Sequence, residues 1–225
     1  MTRIFANFAE AINELRRDLS ELSVKLLPTT WQGKSVAGNP DFTTNELQNY
    51  QYTVTAPHLA DLSPSQPWAD LEFLERLSAF PVNPGTAWES RREVWDELLE
   101  ENLKFSYNYN ERIRYQLEDL IHTLRKTPDS RQVFLSVWEP CIDSNRFEKR
   151  RVPCSLGYYF QCRGGALNMT YLQRSCDFVT HYQNDVYLAV RLMEYIAFAI
   201  PTPPGMFTHW IGSLHVFEKD VRGVF

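Results

Sequence analysis

Apolar residues recur at Phe8, Ile12, Leu15, Leu19, Leu22 and Leu26, in alternating steps of four and three. That spacing lays one stripe along a helix, so residues 5–26 read as an amphipathic helix stopped at Pro28. Three heptads make a short coiled-coil seam; packing on its own domain is the first expectation and a partner helix the second. Residues 28–44, with Gly33, Gly38 and Pro40, read as a loop, and 46–55 (ELQNYQYTVT) as a strand. Residues 68–79 are predicted helical with Trp68, Leu71, Leu74 and Leu77 on one face, and 88–103 form the next helix. Ile113, Leu117, Leu120, Ile121 and Leu124 mark another, ending before Thr127-Pro128, and 133–138 follow as a strand. Residues 153–163 and 166–174 flank Gly164-Gly165 and form a hairpin, because tight two-residue turns need positive φ. Asp185 opens a helix to Ala199, its charge complementing the helix dipole; Pro201, Pro203, Pro204 and Gly205 break it, and 206–217 return as a strand.

The 225 residues suffice for one domain with a large core. A net charge of -5 and a pI near 5.6 argue against nucleic acid or an anionic membrane as the main partner, so an anionic ligand needs a local arginine cluster. No apolar run approaches the roughly 18 residues of a membrane span, and acids come too early in the N-terminus for a signal peptide. The expected compartment is the cytoplasm. The four cysteines show no paired CxxC spacing, so free thiols and no zinc site are expected. Cys162 and Cys176 read as small apolar packing residues. Cys154 differs, since the hairpin brings it to Arg174, and a neighbouring guanidinium lowers a thiol pKa from roughly 8.5. It is the candidate nucleophile.

Pro153-Cys154, then Gln173-Arg174-Ser175-x-Asp177, then Asp185 eight positions further, then Gly212-x-x-His215-x-Phe217, together resemble the thymidylate synthase superfamily. Pro128-Asp129-Ser130-Arg131 before a strand is similar to another motif of that family. The resemblance covers about residues 95–217 and implies a single α+β domain. That domain is a mixed sheet with packed helices, paired as a homodimer across the sheet, with residues 1–90 a divergent N-terminal part. It further implies 5,10-methylenetetrahydrofolate as cofactor, with Asp177, Trp95 and Tyr109 at the folate. Arg174, Ser175 and the partner subunit's Arg131 are placed at the nucleotide phosphate, Gln173 at the nucleotide, and His215 and Phe217 at the sugar. Lys34 is the nearest basic residue to an N-terminal phosphate-loop arginine of the family. A general acid/base carboxylate falls on the helix 68–79, with Asp70 in the best register and Glu72 the alternative. Positions two apart point in nearly opposite directions, so one of the two at most faces a pocket. Three positions depart from the family: Ser155 replaces a histidine, Phe217 a tyrosine and Gln132 a second arginine.

Asp185 bears on the base. Thymidylate synthases keep asparagine there, which donates to uracil O4 and accepts from N3–H, whereas a carboxylate has no proton for O4. It can accept from the 4-amino group of cytosine, with one proton shared with N3, and a polar group left unpaired by the wrong base discriminates strongly. Asn184-Asp185 and Gly212-Ser213-Leu214-His215-Val216 resemble the phage deoxycytidylate hydroxymethylase branch, which implies 5-hydroxymethyl-dCMP for modified phage DNA, made in a host cytoplasm. The chain ends ten residues after His215, which favours water over hydride at the last step. Methylation of dCMP or dUMP is the alternative product. An inactive interaction subunit using the 8–26 seam is the alternative of another class.

Overall fold

The computed structural model describes residues 3–31, 34–144 and 151–223; Gln32 and Gly33, within the expected N-terminal phosphate loop, lie outside them. Strand β1 (Arg3–Phe5) leads into helix α1 (Phe8–Leu22), whose first turn is closed by the Asn7 side chain accepting from Glu10 N. Phe8, Ile12, Leu15 and Leu19 are buried on the sheet, so the seam packs on its own domain. The helix ends four residues earlier than its periodicity predicts. Residues Val24–Leu26 form β2 instead, pairing antiparallel with β5, and Leu22 and Leu26 are exposed. Backbone pairing to a sheet edge outweighs the continuation of an apolar stripe with nothing to pack on.

The expected loop that follows holds two short strands, β3 (Thr30–Trp31) and β4 (Lys34–Ser35), and leads to β5 (Thr44–Val54). Helix α2 (Trp68–Arg76) buries Trp68, Ala69, Phe73 and Arg76, whereas Leu71 and Leu74 are exposed. The inward stripe therefore differs from the one predicted. The single helix expected over 88–103 is broken into a 3-10 turn (Ala87–Arg91), α3 (Arg92–Trp95) and a second 3-10 turn (Asp96–Leu98), because its tryptophans pack sideways rather than along one face. Two helices, α4 (Tyr109–Ile113) and α5 (Leu117–Lys126), stand where one was expected, followed by β6 (Phe134–Ser136) and α6 (Pro140–Asp143).

The hairpin of β7 (Ser155–Arg163) and β8 (Ala166–Asp177) turns at Gly164 and Gly165, whose φ values of 62° and 79° are the left-handed pair that a two-residue turn requires. Helix α7 (Tyr182–Ala199) crosses over to β9 (Pro204–Phe217), which lies parallel to β8. The sheet runs β1-β5-β9-β8-β7-β6, with β2 on β5, so one mixed sheet takes strands from both parts of the chain. This is the α+β architecture expected. Helices α1 and α7 cover the face carrying Phe207 and His209, through Phe8 and Tyr182. Thr170, Leu172, Thr208 and Trp210, all half-buried, alternate onto the other face with the exposed Met206. No helix among the described residues is long and apolar enough to cross a membrane.

Candidate active site

The C-terminal ends of β8 and β9 lie in parallel register, Ser175 opposite Ser213 and Asp177 opposite His215. Gly212 permits this approach, since a Cβ there would lie 2.8 Å from the Arg174 carbonyl oxygen. Beside these ends opens a pocket of about 870 Å3, lined by Cys154, Arg174, Ser175, Asp177, Asp185, His215 and Phe217 on one side and Trp68, Trp95, Tyr107 and Tyr109 on the other. Seven residues singled out between Cys154 and Phe217 of the sequence thus meet in one place, together with Trp95 and Tyr109.

Cys154 sits at the mouth of β7, where Arg174 N donates to its carbonyl at 2.8 Å. Arg174 also folds its side chain over this turn, Nε donating to Pro153 O (2.8 Å) and Nη2 to Val152 O (3.0 Å), with Cys154 Sγ 3.9 Å from Nη2. The expected contact is present and favours the thiolate, but burial outweighs it. Burial pushes the Cys154 thiol up, Asp185 adds to the rise, and the guanidiniums of Arg174 and Arg151 offset only part of it. Ionisation in this pocket is therefore harder than for a free thiol.

Asp185 lies in the first turn of α7, one turn after His181. Burial pushes its carboxyl up, against the pull of His181, of the Gln173 hydrogen bond and of Arg76 and Arg91. Gln173 is fully buried behind the floor, donating from Nε2 to Asp185 Oδ2 at 2.6 Å. Asp177 Oδ1 accepts from Val179 N and Thr180 N, which fixes the turn into α7. His215 is neutral at physiological pH, since burial lowers it more than Asp177 raises it. Ser155, where a histidine was expected, bonds the hydroxyls of Tyr171 (2.6 Å) and Tyr109 (3.2 Å).

The two carboxylate candidates of α2 part company. Asp70 bonds Tyr187 Oη (2.6 Å) and Arg191 Nη1 (2.7 Å) on the outer surface, away from the pocket. Glu72 belongs to the inward stripe with Ala69, Phe73 and Arg76, and lines a small side cavity with Trp68, Trp88, Trp95 and Tyr109. The structure thus favours Glu72 over Asp70 as the pocket carboxylate. Lys34 is exposed, its Nζ 3.5 Å from Glu97 O, and Arg131 is exposed outside the pocket; neither joins the cluster within one chain.

Three pocket residues escaped the sequence reading. Arg76 is buried, bonds Glu72 Oε1 at 2.8 Å and lies 3.9 Å over the Tyr109 ring. Burial works against its charge, but Glu72, Tyr158 and Tyr109 outweigh this and hold it a firm cation. The i,i+4 spacing of Glu72 and Arg76 was the available signal. Arg151 stacks over Trp95 and Tyr107, and His181 stands 6.1 Å from the Trp95 ring. The aromatic wall is rich in spare donors: Nε1 of Trp68, Trp88 and Trp95, Nη1 of Arg91 and Nε of Arg151 are buried without a partner among the described residues. Such donors can pair with acceptor atoms of a ligand or water.

The pocket thus gathers a cysteine beside an arginine, an Arg-Ser-x-Asp strand end and a helix-borne acid. The family profile described as thymidylate synthase matches residues 82–224. The chain belongs to the thymidylate synthase family. It is 34% identical over 145 residues to a Methanosarcina acetivorans protein named "Putative thymidylate synthase", covering 60% of this chain and 65% of that one. It is 27% identical over 135 residues to the thymidylate synthase of Clostridium beijerinckii, covering 59% and 50%. With the bifunctional dihydrofolate reductase-thymidylate synthase of Zea mays it shares 30% identity over 109 residues, 48% of this chain and 20% of that protein. The chain thus spans less than two thirds of the length of these relatives.

Proposed function

We propose that the chain transfers a one-carbon unit from 5,10-methylenetetrahydrofolate to C5 of dCMP, giving 5-hydroxymethyl-dCMP. One observation carries the choice of base: a carboxylate, Asp185, lines the floor that also holds Cys154 and Arg174. C5 of a pyrimidine is a poor nucleophile until something adds at C6, and the Cys154 sulfur is the group placed to do so. Its thiol loses its proton most readily with Arg174 and Arg151 beside it. Arg174 and Ser175 hold the 5′-phosphate, because forked guanidinium donors match phosphate oxygens.

Asp185 accepts from the 4-amino group, and a carboxyl pushed up by burial is suited to share a proton with N3. That proton withdraws electrons from the ring and eases attack at C6. Glu72, held by Arg76, takes the acid/base role that Asp70 cannot reach. His215 and Phe217 bound the sugar, and Gln173 sets Asp185 from behind.

The folate fits the residues present: the unpartnered indole N–H of Trp95, the Tyr109 ring and the Asp177 carboxylate suit a flat, polar heterocycle. When bound, it supplies the one-carbon unit. Glu46, Glu93 and Asp220 line the pocket as well, and such a polar lining favours water over hydride in the final step. A second copy covering the sheet face of Leu172 and Trp210 would make the homodimer and offer Arg131 to the neighbouring phosphate. A cytoplasmic enzyme supplying a precursor of modified phage DNA is the setting that the hydroxymethylase branch implies.

The relatives' names favour a second product reading, C5 methylation of dUMP, against which Asp185 stands. The interaction-subunit reading loses its surface, since Phe8, Ile12, Leu15 and Leu19 are buried. Release of the C5 proton from dCMP and dUMP with methylenetetrahydrofolate, followed by product mass, decides among them. Turnover of dCMP to the hydroxymethyl product is expected; preference for dUMP, or a 5-methyl product, would refute the proposal.

A further inference from the structure

Behind the pocket floor four hydrogen bonds run in single file. Tyr182 Oη lies 2.7 Å from Tyr52 Oη, and Tyr52 Oη lies 3.2 Å from His209 Nδ1. His209 Nε2 lies 3.0 Å from Gln173 Oε1, and Gln173 Nε2 lies 2.6 Å from Asp185 Oδ2. Tyr182, Tyr52, His209 and Gln173 are wholly buried, and only the last member, Asp185, reaches the pocket. The imidazole is stacked on Tyr171 at 4.5 Å and 12°, so the ring is held in place.

Burial alone pulls His209 down to about 3, so it is neutral and carries one N–H. A row in which each contact has one hydrogen to share can point in only one direction at a time. An ionised Asp185 has lone pairs only, so Gln173 must offer its Nε2 and turn its Oε1 toward His209. That carbonyl demands a hydrogen on His209 Nε2, which leaves Nδ1 as a lone pair. Tyr52 then donates to Nδ1, and its own oxygen accepts from Tyr182. Every hydrogen in the row is fixed by the charge at one end.

We propose that this row makes the inner atom of residue 185 an acceptor, leaves the exocyclic group at C4 of the base to its outer atom, and so makes His209 a positioning residue for base selection. With aspartate at 185, the outer Oδ1 is also an acceptor and suits the cytosine 4-amino group. With an amide there, the oxygen must turn inward to meet Gln173, and the NH2 is left to donate to a uracil O4. The same fixed row thus turns one side-chain exchange into an exchange of bases. The substrate named here rests on the cytosine reading above; the direction of the row does not.

The two are tested separately on the intact protein. Imidazole 15N shifts should show His209 protonated at Nε2, whatever nucleotide the pocket prefers; protonation at Nδ1 overturns the proposal. His209→Phe keeps a ring against Tyr171 but leaves the Gln173 oxygen unpartnered and free to rotate. The ratio of kcat/KM for dCMP over dUMP should then fall about tenfold, more than kcat itself. Tyr52→Phe, which removes only the donor to Nδ1 and keeps the core filled, should lower that ratio about threefold. An unchanged ratio in both folded variants refutes the role of the row. If the wild-type protein shows no preference for cytosine, the cytosine reading fails and the His209 tautomer alone decides on the row.

Discussion

Asp70 and Asp185 are the same residue on two helices, each near a tyrosine and an arginine, and they end in opposite states. Asp70 is half exposed on the outer ridge, where the Tyr187 hydroxyl and then Arg191 hold its carboxyl below the usual range. Asp185, at the pocket floor, is pushed up by burial despite His181, Gln173, Arg76 and Arg91. Motif register drew attention to both. What separates them is desolvation: on the ridge water screens the charge and partners add to its stability, whereas at the floor partners only offset a penalty. An acid pushed up by burial is suited to share a proton; one held down by its partners is a surface tie.

The largest effect should come from exchanging each for its amide. Asp185→Asn is expected to lower dCMP turnover by roughly 10^3-fold and move preference toward dUMP, whereas Asp70→Asn changes it by less than about twofold. Steady-state kinetics on both nucleotides checks this, and equal effects would erase the distinction between floor and ridge.

The partnering arginines sharpen the contrast next. Arg76→Met leaves Glu72 facing a buried side cavity without its cation and should cost about 3–5 kcal/mol in denaturant unfolding. Arg191→Met, on the ridge, should cost about 1 kcal/mol or less.

Smaller effects of opposite sign are expected in stability against pH. From the ordinary value of 3.8, the folded pKa of Asp185 is raised, so the folded state holds the extra proton and stability falls as pH rises from there through the raised value. Asp185→Asn removes that fall, and its Tm at neutral pH should exceed that of the parent. The folded pKa of Asp70 is lowered, so its contribution is present above 3.8 and is lost as pH drops through the lowered value. Asp70→Asn should therefore lower Tm slightly at neutral pH and leave it unchanged in strong acid.

The smallest effect concerns the thiol. Arg174→Gln should slow alkylation of Cys154 at pH 7 by several-fold, roughly the loss of one partly screened charge. The exposed Cys141 serves as an internal reference and should be unaffected.

The same contrast explains what the sequence could and could not disclose. The hairpin, α7 and β9 were legible because Gly164-Gly165, the prolines after Ala199 and the alternating apolar positions act locally. Helix α2 misled because leucines at 71 and 74 drew the stripe to the wrong face. The face that turns inward carries Glu72 and Arg76, charged residues that belong to a pocket wall rather than to a core. The broken segment 87–98 has the same origin: Trp95 stacks on Trp68 within one pocket wall instead of completing a helical stripe. For Cys154, spacing disclosed the neighbouring guanidinium but not the depth of burial, and depth dominates. His209 looked like an ordinary structural histidine, since its row of partners lies 36 to 157 residues away.

Gly212 carries a mechanical implication. It touches the carbonyl of Arg174 from the neighbouring strand, and both strands run on into the rim of the cavity. A methyl group at that point meets main chain first and the Trp210 ring next, so the displacement would be passed along two levers whose free ends hold Arg174 and His215. A replacement there would be felt first as a shifted pocket rim, in a molecule whose distant layers had scarcely moved.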